Sequence, residues 1–229
     1  MNSPITVISS MATRTLLEKL VADWHQRSGQ AVAFEAVGGV EVARRVQAGE
    51  PFDGVVLAAD AIDQLIAAGH LQAGSRVDLV RSGVAACVRT GSTHPDIATE
   101  TALRQAVLAA PSIGYSTGPS GVALVRLFER WGIAGDIAGR TVQAPPGVPV
   151  GSLVASGEVA LGFQQLSELL HLEGIDVVGP LPEAVQITTI FSGAVGRASS
   201  EAAAVRELLA FLAGPETTPA KQSHGMAPA

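Results

Sequence analysis

Small hydroxyl, amide and glycine residues recur at four places where a predicted strand gives way to a predicted helix. Such residues can hold an anion without a charged side chain, because a helix start presents unpaired backbone N–H groups and the positive end of the helix dipole. Glycine lets a ligand approach the backbone closely, and serine and glutamine add neutral donors. The four junctions are Ser9-Ser10, Gly38-Gly39, Ser116-Thr-Gly-Pro-Ser120-Gly121 and Gln164-Gln165. Each alone is also explained as a helix cap or a turn, but together they predict a site for a small anionic ligand.

Residue patterns for cofactor or metal chemistry are missing from the sequence. No Gly-Lys-Ser/Thr follows the glycines near Gly121, which excludes a nucleotide P-loop. The five histidines have no metal-ligand spacing, so we expect them at the surface and expect neither a metal nor a cofactor. The single cysteine, Cys87, lies in the apolar run Gly83–Val88 and is predicted to be a buried strand residue rather than a reactive thiol.

Composition excludes several classes of partner. The chain has 229 residues, of which 47% are hydrophobic and 16% are charged, and its formal net charge is −6. A negative chain with scattered basic residues lacks the positive stripe that nucleic acid requires. Charged residues interrupt the apolar runs, so no membrane insertion is expected. The N-terminus has no basic and apolar signal pattern, which predicts a cytoplasmic protein, or a periplasmic one if a signal was removed.

Short apolar runs that alternate with helical periods predict the α/β class. Strands are expected at 5–8, 31–34, 52–57, 77–80, 84–88, 112–115, 141–143, 159–163 and 187–195, with helices between most of them. This alternation is typical of a mostly parallel sheet with helices on its faces. The pattern divides into one lobe of residues 1–82 plus 191–229 and a second lobe of residues 83–190. We expect a ligand cleft between these two lobes.

The order of these segments resembles the type II periplasmic-binding-protein family, and within it the molybdate-binding branch of ABC-transporter solute receptors. The similar segments are Ile5–Leu17, Ala43–Gly49 with Phe52-Asp53, Gly69–Leu71, Gly74–Arg76, Gly114–Gly121 and Gly157–Gly162. The resemblance implies a substrate-binding protein that holds an oxyanion or carboxylate between two lobes. It also implies an ABC-transporter permease as a partner if the protein is exported.

The same resemblance implies a set of binding positions. Carried over by position, the set is Ser9, Ser10, Ala12, Gly38, Gly39, Ser120, Gly121, Pro149 and Gln165, and Ser116 joins it from the junction described above. The molybdate-binding branch carries a hydroxyl side chain at two positions that are Ala12 and Gly39 in this chain. It carries a tyrosine at the position that is Gln165 here. The departures at Ala12 and Gly39 remove two hydroxyl donors for an oxyanion such as molybdate, and each hydrogen bond to a charged group contributes about 1.5–3 kcal/mol.

An alternative function follows from a second resemblance within this branch, to aconitate isomerases, which move an allylic proton in an unsaturated tricarboxylate. Such an enzyme needs groups that hold carboxylates and a base near the carbon acid. Under this hypothesis Arg14 orients a carboxylate and Glu41 moves the proton. A solvated Arg14 and a Glu41–Arg44 pair within one helix are the competing interpretation.

Overall fold

The computed structural model describes residues 4–229, and strands alternate with helices along this part of the chain. The strands are β1 (Ile5–Ser10), β2 (Val32–Val37), β3 (Gly54–Ala58), β4 (Val77–Arg89), β5 (Ile113–Tyr115), β6 (Thr141–Gln143), β7 (Leu161–Gln165), β8 (Ile175–Pro180), β9 (Thr188–Val195) and β10 (Met226–Pro228). The α-helices are α1 (Arg14–Ser28), α2 (Gly39–Gln47), α3 (Ala59–Ala67), α4 (Glu100–Ala109), α5 (Pro119–Arg130), α6 (Ala134–Ile137), α7 (Val150–Ser156), α8 (Leu166–Leu169), α9 (Ala202–Ala213) and α10 (Thr218–Ser223). Single 3-10 turns occupy Met11–Thr13, Ala138–Arg140, Glu183–Val185 and Pro215–Thr217. The predicted α/β class is confirmed.

The described residues form two compact units. Unit 1 contains the residues up to Arg81 together with Thr189–Ala229, and unit 2 is the continuous segment Ser82–Thr188. The chain therefore passes from one unit to the other twice. The sequence-based prediction placed the two divisions after residues 82 and 190.

The sheet of unit 1 has the strand order β2-β1-β3-β9-β4. Strands β2, β1 and β3 are parallel, with Ser10 opposite Val37 and Ser9 opposite Val56, so their carboxyl ends share one edge of the sheet. Strand β9 is antiparallel to β3. Parallel strands that end together bring the helix starts that follow them to the same edge, which is where ligands bind in open α/β sheets.

The side-chain alternation of β1 explains how both faces of the unit 1 sheet become buried. Ile5 and Val7 pack with residues of α1 and α9, whereas Ile8 packs with residues of α2 and α3 on the other face. Successive strand residues point to opposite faces, so one short strand contributes to two cores. Each fully buried Ile or Val side chain stabilises the fold by about 1.5–3 kcal/mol.

Unit 2 has the strand order β4-β7-β5-β6, and β8 also pairs with β4. Strands β5, β6 and β7 are parallel, with Tyr115 opposite both Gln143 and Phe163, so their carboxyl ends also share one edge. Strand β4 is antiparallel to β7 and β8. Cys87 lies in β4 and is fully buried, as the apolar run predicted, and burial raises the pKa of its thiol to about 12.

Three details of the sequence-based prediction are wrong. The expected strands 77–80 and 84–88 are one strand, β4, because main-chain pairing continues through the polar residues between them. The sheets are mixed rather than mostly parallel, because β9 runs antiparallel to β3, and β4 runs antiparallel to β7 and β8. The composition of residues 215–229, small and polar, predicts a frayed C-terminus, but this segment forms α10 and β10, and Met226 packs into the core of unit 1.

Candidate functional site

Two of the predicted junctions are neighbours at the carboxyl edge of unit 1. Ser9 and Ser10 end β1, Gly38 is the N-cap of α2, and Gly39 is the first residue of that helix. A Cβ atom added to Gly39 would lie 3.6 Å from the Cβ of Ser10, an ordinary van der Waals contact. The structure therefore places the serine pair and the glycine pair side by side. A hydroxyl-bearing side chain at position 39 would have space, so the glycine there is not demanded by packing.

The two serine hydroxyls have different environments. The Ser9 hydroxyl donates to the backbone carbonyl of Ser10 at 3.1 Å, and the Thr13 hydroxyl donates to the same carbonyl at 3.2 Å. The Ser10 residue is 6% exposed, and its Oγ atom has no hydrogen-bond partner within residues 4–229. A buried hydroxyl without a partner costs about 1–3 kcal/mol. Ser10 is thus a buried hydroxyl at this edge whose hydrogen-bonding capacity is not used by the described residues.

The two candidate catalytic side chains of unit 1 form ion pairs along their own helices. Arg14 Nε contacts Glu18 Oε1 at 2.8 Å, and both side chains are about half exposed. Glu41 accepts two hydrogen bonds from Arg44, at 2.6 and 2.7 Å. These bonds hold the pKa of Glu41 below its usual value. The Glu41–Arg44 pair that the sequence allowed as an alternative is present, while the catalytic roles of Arg14 and Glu41 stay predictions.

The junction between β5 and α5 in unit 2 is held by its serines and by a close glycine contact. The Oγ atoms of Ser116 and Ser120 are 3.3 Å apart, and Ser120 is buried. Any Cβ atom at Gly121 would overlap the backbone carbonyl oxygen of Ser116, so the first turn of α5 can lie this close only without a side chain. Gly114–Gly118 also has the Gly-x-Ser-x-Gly spacing of a hydrolase elbow, but the hydroxyl of Ser116 bonds to Ser120 rather than to a histidine.

The start of α7 is already bonded to a neighbouring side chain. Gln164 Oε1 accepts hydrogen bonds from the backbone N–H groups of Val150 and Gly151, at 2.8 and 3.4 Å. Pro149, the N-cap, has no N–H group to donate. In this conformation the start of α7 therefore has fewer free backbone N–H groups for a ligand than the resemblance implied. Gln165, the next residue of β7, is buried.

Glu168 is the functional candidate that sequence reasoning missed. Its Oε1 atom accepts a hydrogen bond from Gln164 Nε2 at 2.9 Å, so Gln164 links Glu168 to the start of α7. Burial raises the pKa of Glu168 to about 7, although the hydrogen bond from Gln164 opposes this increase. The sequence signal is a glutamine at the end of a predicted strand, Gln164, with Glu168 four residues later at the start of the next predicted helix.

Within residues 4–229, no cluster of three or more His, Cys, Asp or Glu side chains is arranged to hold a metal ion. None of the helices in this range is both long enough and apolar enough to cross a membrane.

Comparison with known proteins identifies the family. The family model described as bacterial extracellular solute-binding protein matches residues 5–227. The chain belongs to this family. The resemblance to periplasmic binding proteins is thereby confirmed, together with the expected fold.

Proteins similar to this chain differ in their named functions. The chain is 35% identical over 230 residues to an aconitate isomerase from Pseudomonas sp., covering 98% of this chain and 87% of that protein. It also resembles the periplasmic molybdate-binding protein of Azotobacter vinelandii, with 19% identity, a TM-score of 0.79 and coverage of 97% and 98%. A tungstate-binding protein from Desulfovibrio alaskensis matches with 13% identity, a TM-score of 0.70 and coverage of 99% of each chain. At these low identities the two solved structures support the fold alone.

Proposed function

We propose that this protein binds a small anion, an oxyanion or a carboxylate, through backbone N–H groups and hydroxyls at its helix starts. The observation that carries the proposal is the Ser10 hydroxyl, which is buried at the carboxyl edge of unit 1 and lacks a partner among the described residues. A ligand oxygen would supply the missing hydrogen bond, and the adjacent start of α2 would add a favourable dipole. If the protein is exported, an ABC-transporter permease is its expected partner.

The second candidate function is isomerisation of an unsaturated tricarboxylate by movement of an allylic proton. Two observations favour it. The relative at 35% identity, whose match spans 98% of this chain and 87% of that protein, is an aconitate isomerase. Glu168 is a carboxyl group with a pKa of about 7, which suits a group that both takes and returns a proton near neutral pH.

A ligand screen tests the binding function and separates it from isomerisation. Thermal unfolding is measured with molybdate, tungstate, sulfate, citrate, cis-aconitate and trans-aconitate, and any stabilising aconitate is then followed by proton NMR. A ligand at about 100 times its Kd adds about 2.7 kcal/mol of stability. Stabilisation by molybdate or tungstate alone contradicts the isomerase candidate, and conversion of one aconitate isomer into the other contradicts a purely passive receptor. If no anion stabilises the protein, the proposal fails.

The substitution Ser10→Ala tests whether the unpartnered hydroxyl serves a ligand. We expect the affinity for the stabilising anion to fall about 10-fold or more, because a hydrogen bond to a charged group contributes about 1.5–3 kcal/mol. Without ligand, the free energy of unfolding should stay the same or rise, because no internal hydrogen bond is lost. Isothermal titration and urea unfolding measure the two quantities.

The matched control is Ser223→Ala, which removes an exposed hydroxyl bonded to the carbonyl of Ala220 and should leave affinity unchanged. A Ser10→Ala variant that loses stability but keeps its affinity would assign this serine a structural role instead.

A further inference from the structure

We propose that the Glu168 carboxylate is the base that removes the allylic proton of the substrate and the acid that returns it. The inference rests on the isomerase candidate of the proposed function and names the group that would carry its proton. It replaces Glu41, the carboxylate suggested by the sequence, with a residue of unit 2.

Glu168 lies at the edge of unit 2 that also carries the candidate hydroxyl donors. Helix α8 follows β7 without a gap, so Glu168 is in the first turn beyond the carboxyl end of that strand. Strand β5 ends beside β7, with Tyr115 opposite Phe163, and Ser116 and Ser120 follow it at the same edge. A ligand held by the start of α5 would therefore be near the segment that carries Glu168.

The carboxyl group is held in one orientation by a neutral amide. Gln164 uses its Oε1 atom to accept from two N–H groups of α7, which leaves its Nε2 atom facing Glu168 Oε1 at 2.9 Å. The amide cannot take up or release the proton near neutral pH, so it fixes the carboxylate without competing with it. Helix α8 packs on β7 and β8, and Asp176, the acidic residue of β8, is occupied by Gly91 N–H and His94.

Glu41 is held by a cation instead. Its two carboxylate oxygens receive hydrogen bonds from the Arg44 guanidinium, which stabilises the charged form and lowers its pKa. A carboxylate stabilised in this way has a weaker tendency to remove a proton from carbon. Burial acts in the opposite direction on Glu168 and raises its pKa to about 7.

The proposed step is balanced without any further reactant. A Glu168 carboxylate oxygen takes a proton from the methylene carbon beside the double bond. The electron pair of the broken C–H bond forms the new double bond, and the electrons of the old one spread toward the neighbouring carboxylate. Glu168, now protonated, returns the proton to the far carbon. The product is the isomer, and the enzyme regains its starting protonation state.

The variant Glu168→Gln tests this role in the full-length chain. The glutamine keeps an oxygen that can accept from Gln164 Nε2, so a merely structural role is preserved while proton transfer is lost. We expect aconitate affinity to stay within about 3-fold and isomerisation, followed by proton NMR from either isomer, to fall about 100-fold or more. The exposed Glu173→Gln is the matched control and should keep the wild-type rate. Glu41→Gln is run beside them as the competing assignment.

The pH profile gives a second measurement. In the wild type, the rate should rise through about pH 7 as Glu168 loses its proton, and this rise should be missing from the residual activity of Glu168→Gln. If the wild type isomerises aconitate and Glu168→Gln is equally active, Glu168 is not the base although the isomerase function stands. If Glu41→Gln alone loses activity, the role belongs to Glu41. A wild type that binds aconitate without converting it overturns both the isomerase candidate and the role of Glu168.

Discussion

At the scale of single residues, Lys221 of α10 has an unusual environment. It is 1% exposed, and its Nζ atom has no hydrogen-bond partner in the part of the chain that the structure describes. Burial lowers the pKa of Lys221, and the charge of Glu216 opposes this decrease. Burying an ammonium group without a partner is unfavourable, so this lysine costs stability at neutral pH.

We therefore predict that Lys221→Met stabilises the protein at pH 7 by about 1–3 kcal/mol in urea unfolding. Because the pKa is lower in the folded state than in the unfolded state, wild-type stability rises as the pH increases from the folded pKa toward the ordinary lysine value. The advantage of the methionine variant should shrink over that range. Lys19→Met removes an exposed lysine paired with Asp23 and should change stability little. A Lys221→Met protein less stable than the wild type at pH 7 would show that the ammonium group has a favourable partner.

At the scale of elements, the junction between β5 and α5 contains two glycines whose packing differs. The glycines at 118 and 121 look equivalent in the sequence, since both lie within two residues of Ser120. In the structure a Cβ at Gly118 would be 3.9 Å from the nearest neighbouring atom, the Oγ of Ser116, whereas one at Gly121 would overlap the Ser116 carbonyl. Packing therefore requires glycine at one of the two positions.

This difference predicts that Gly121→Ala lowers the free energy of unfolding by about 1–3 kcal/mol, because the loop must move to admit the methyl group. Gly118→Ala, in the same loop, should change stability by less than about 1 kcal/mol. Urea unfolding of both variants measures the contrast. Equal effects of the two substitutions would mean that the close approach at position 121 is not rigid.

At the scale of the whole molecule, the two units differ in the number of chain segments that form their cores. The buried clusters of unit 2 are built from one continuous segment. The main cluster of unit 1 needs β1 and α1 from the first segment and α9 from the last, and β9 lies between β3 and β4 in its sheet. Unit 1 therefore has no complete core until the chain returns at Thr189.

Expression of separate segments tests this difference. Residues 82–188 should give a cooperative urea transition on their own, because all members of their core are present. Residues 1–81 should not, because β9 and α9 are missing. Far-UV circular dichroism during urea titration provides the measurement. A cooperative transition of residues 1–81 alone would contradict this account of the unit 1 core.

The sequence by itself determined the α/β class, most strand and helix positions and the helix-start junctions, because these depend on local periodicity, caps and glycines. The serine at position 10 could be named as a donor, but only the fold decided that its hydroxyl is buried and unpartnered. Tertiary structure also decided the insertion of β9 between β3 and β4, the packing of Met226, and the raised pKa of Glu168. These features depend on burial and on neighbours brought together by folding, which local sequence patterns do not encode.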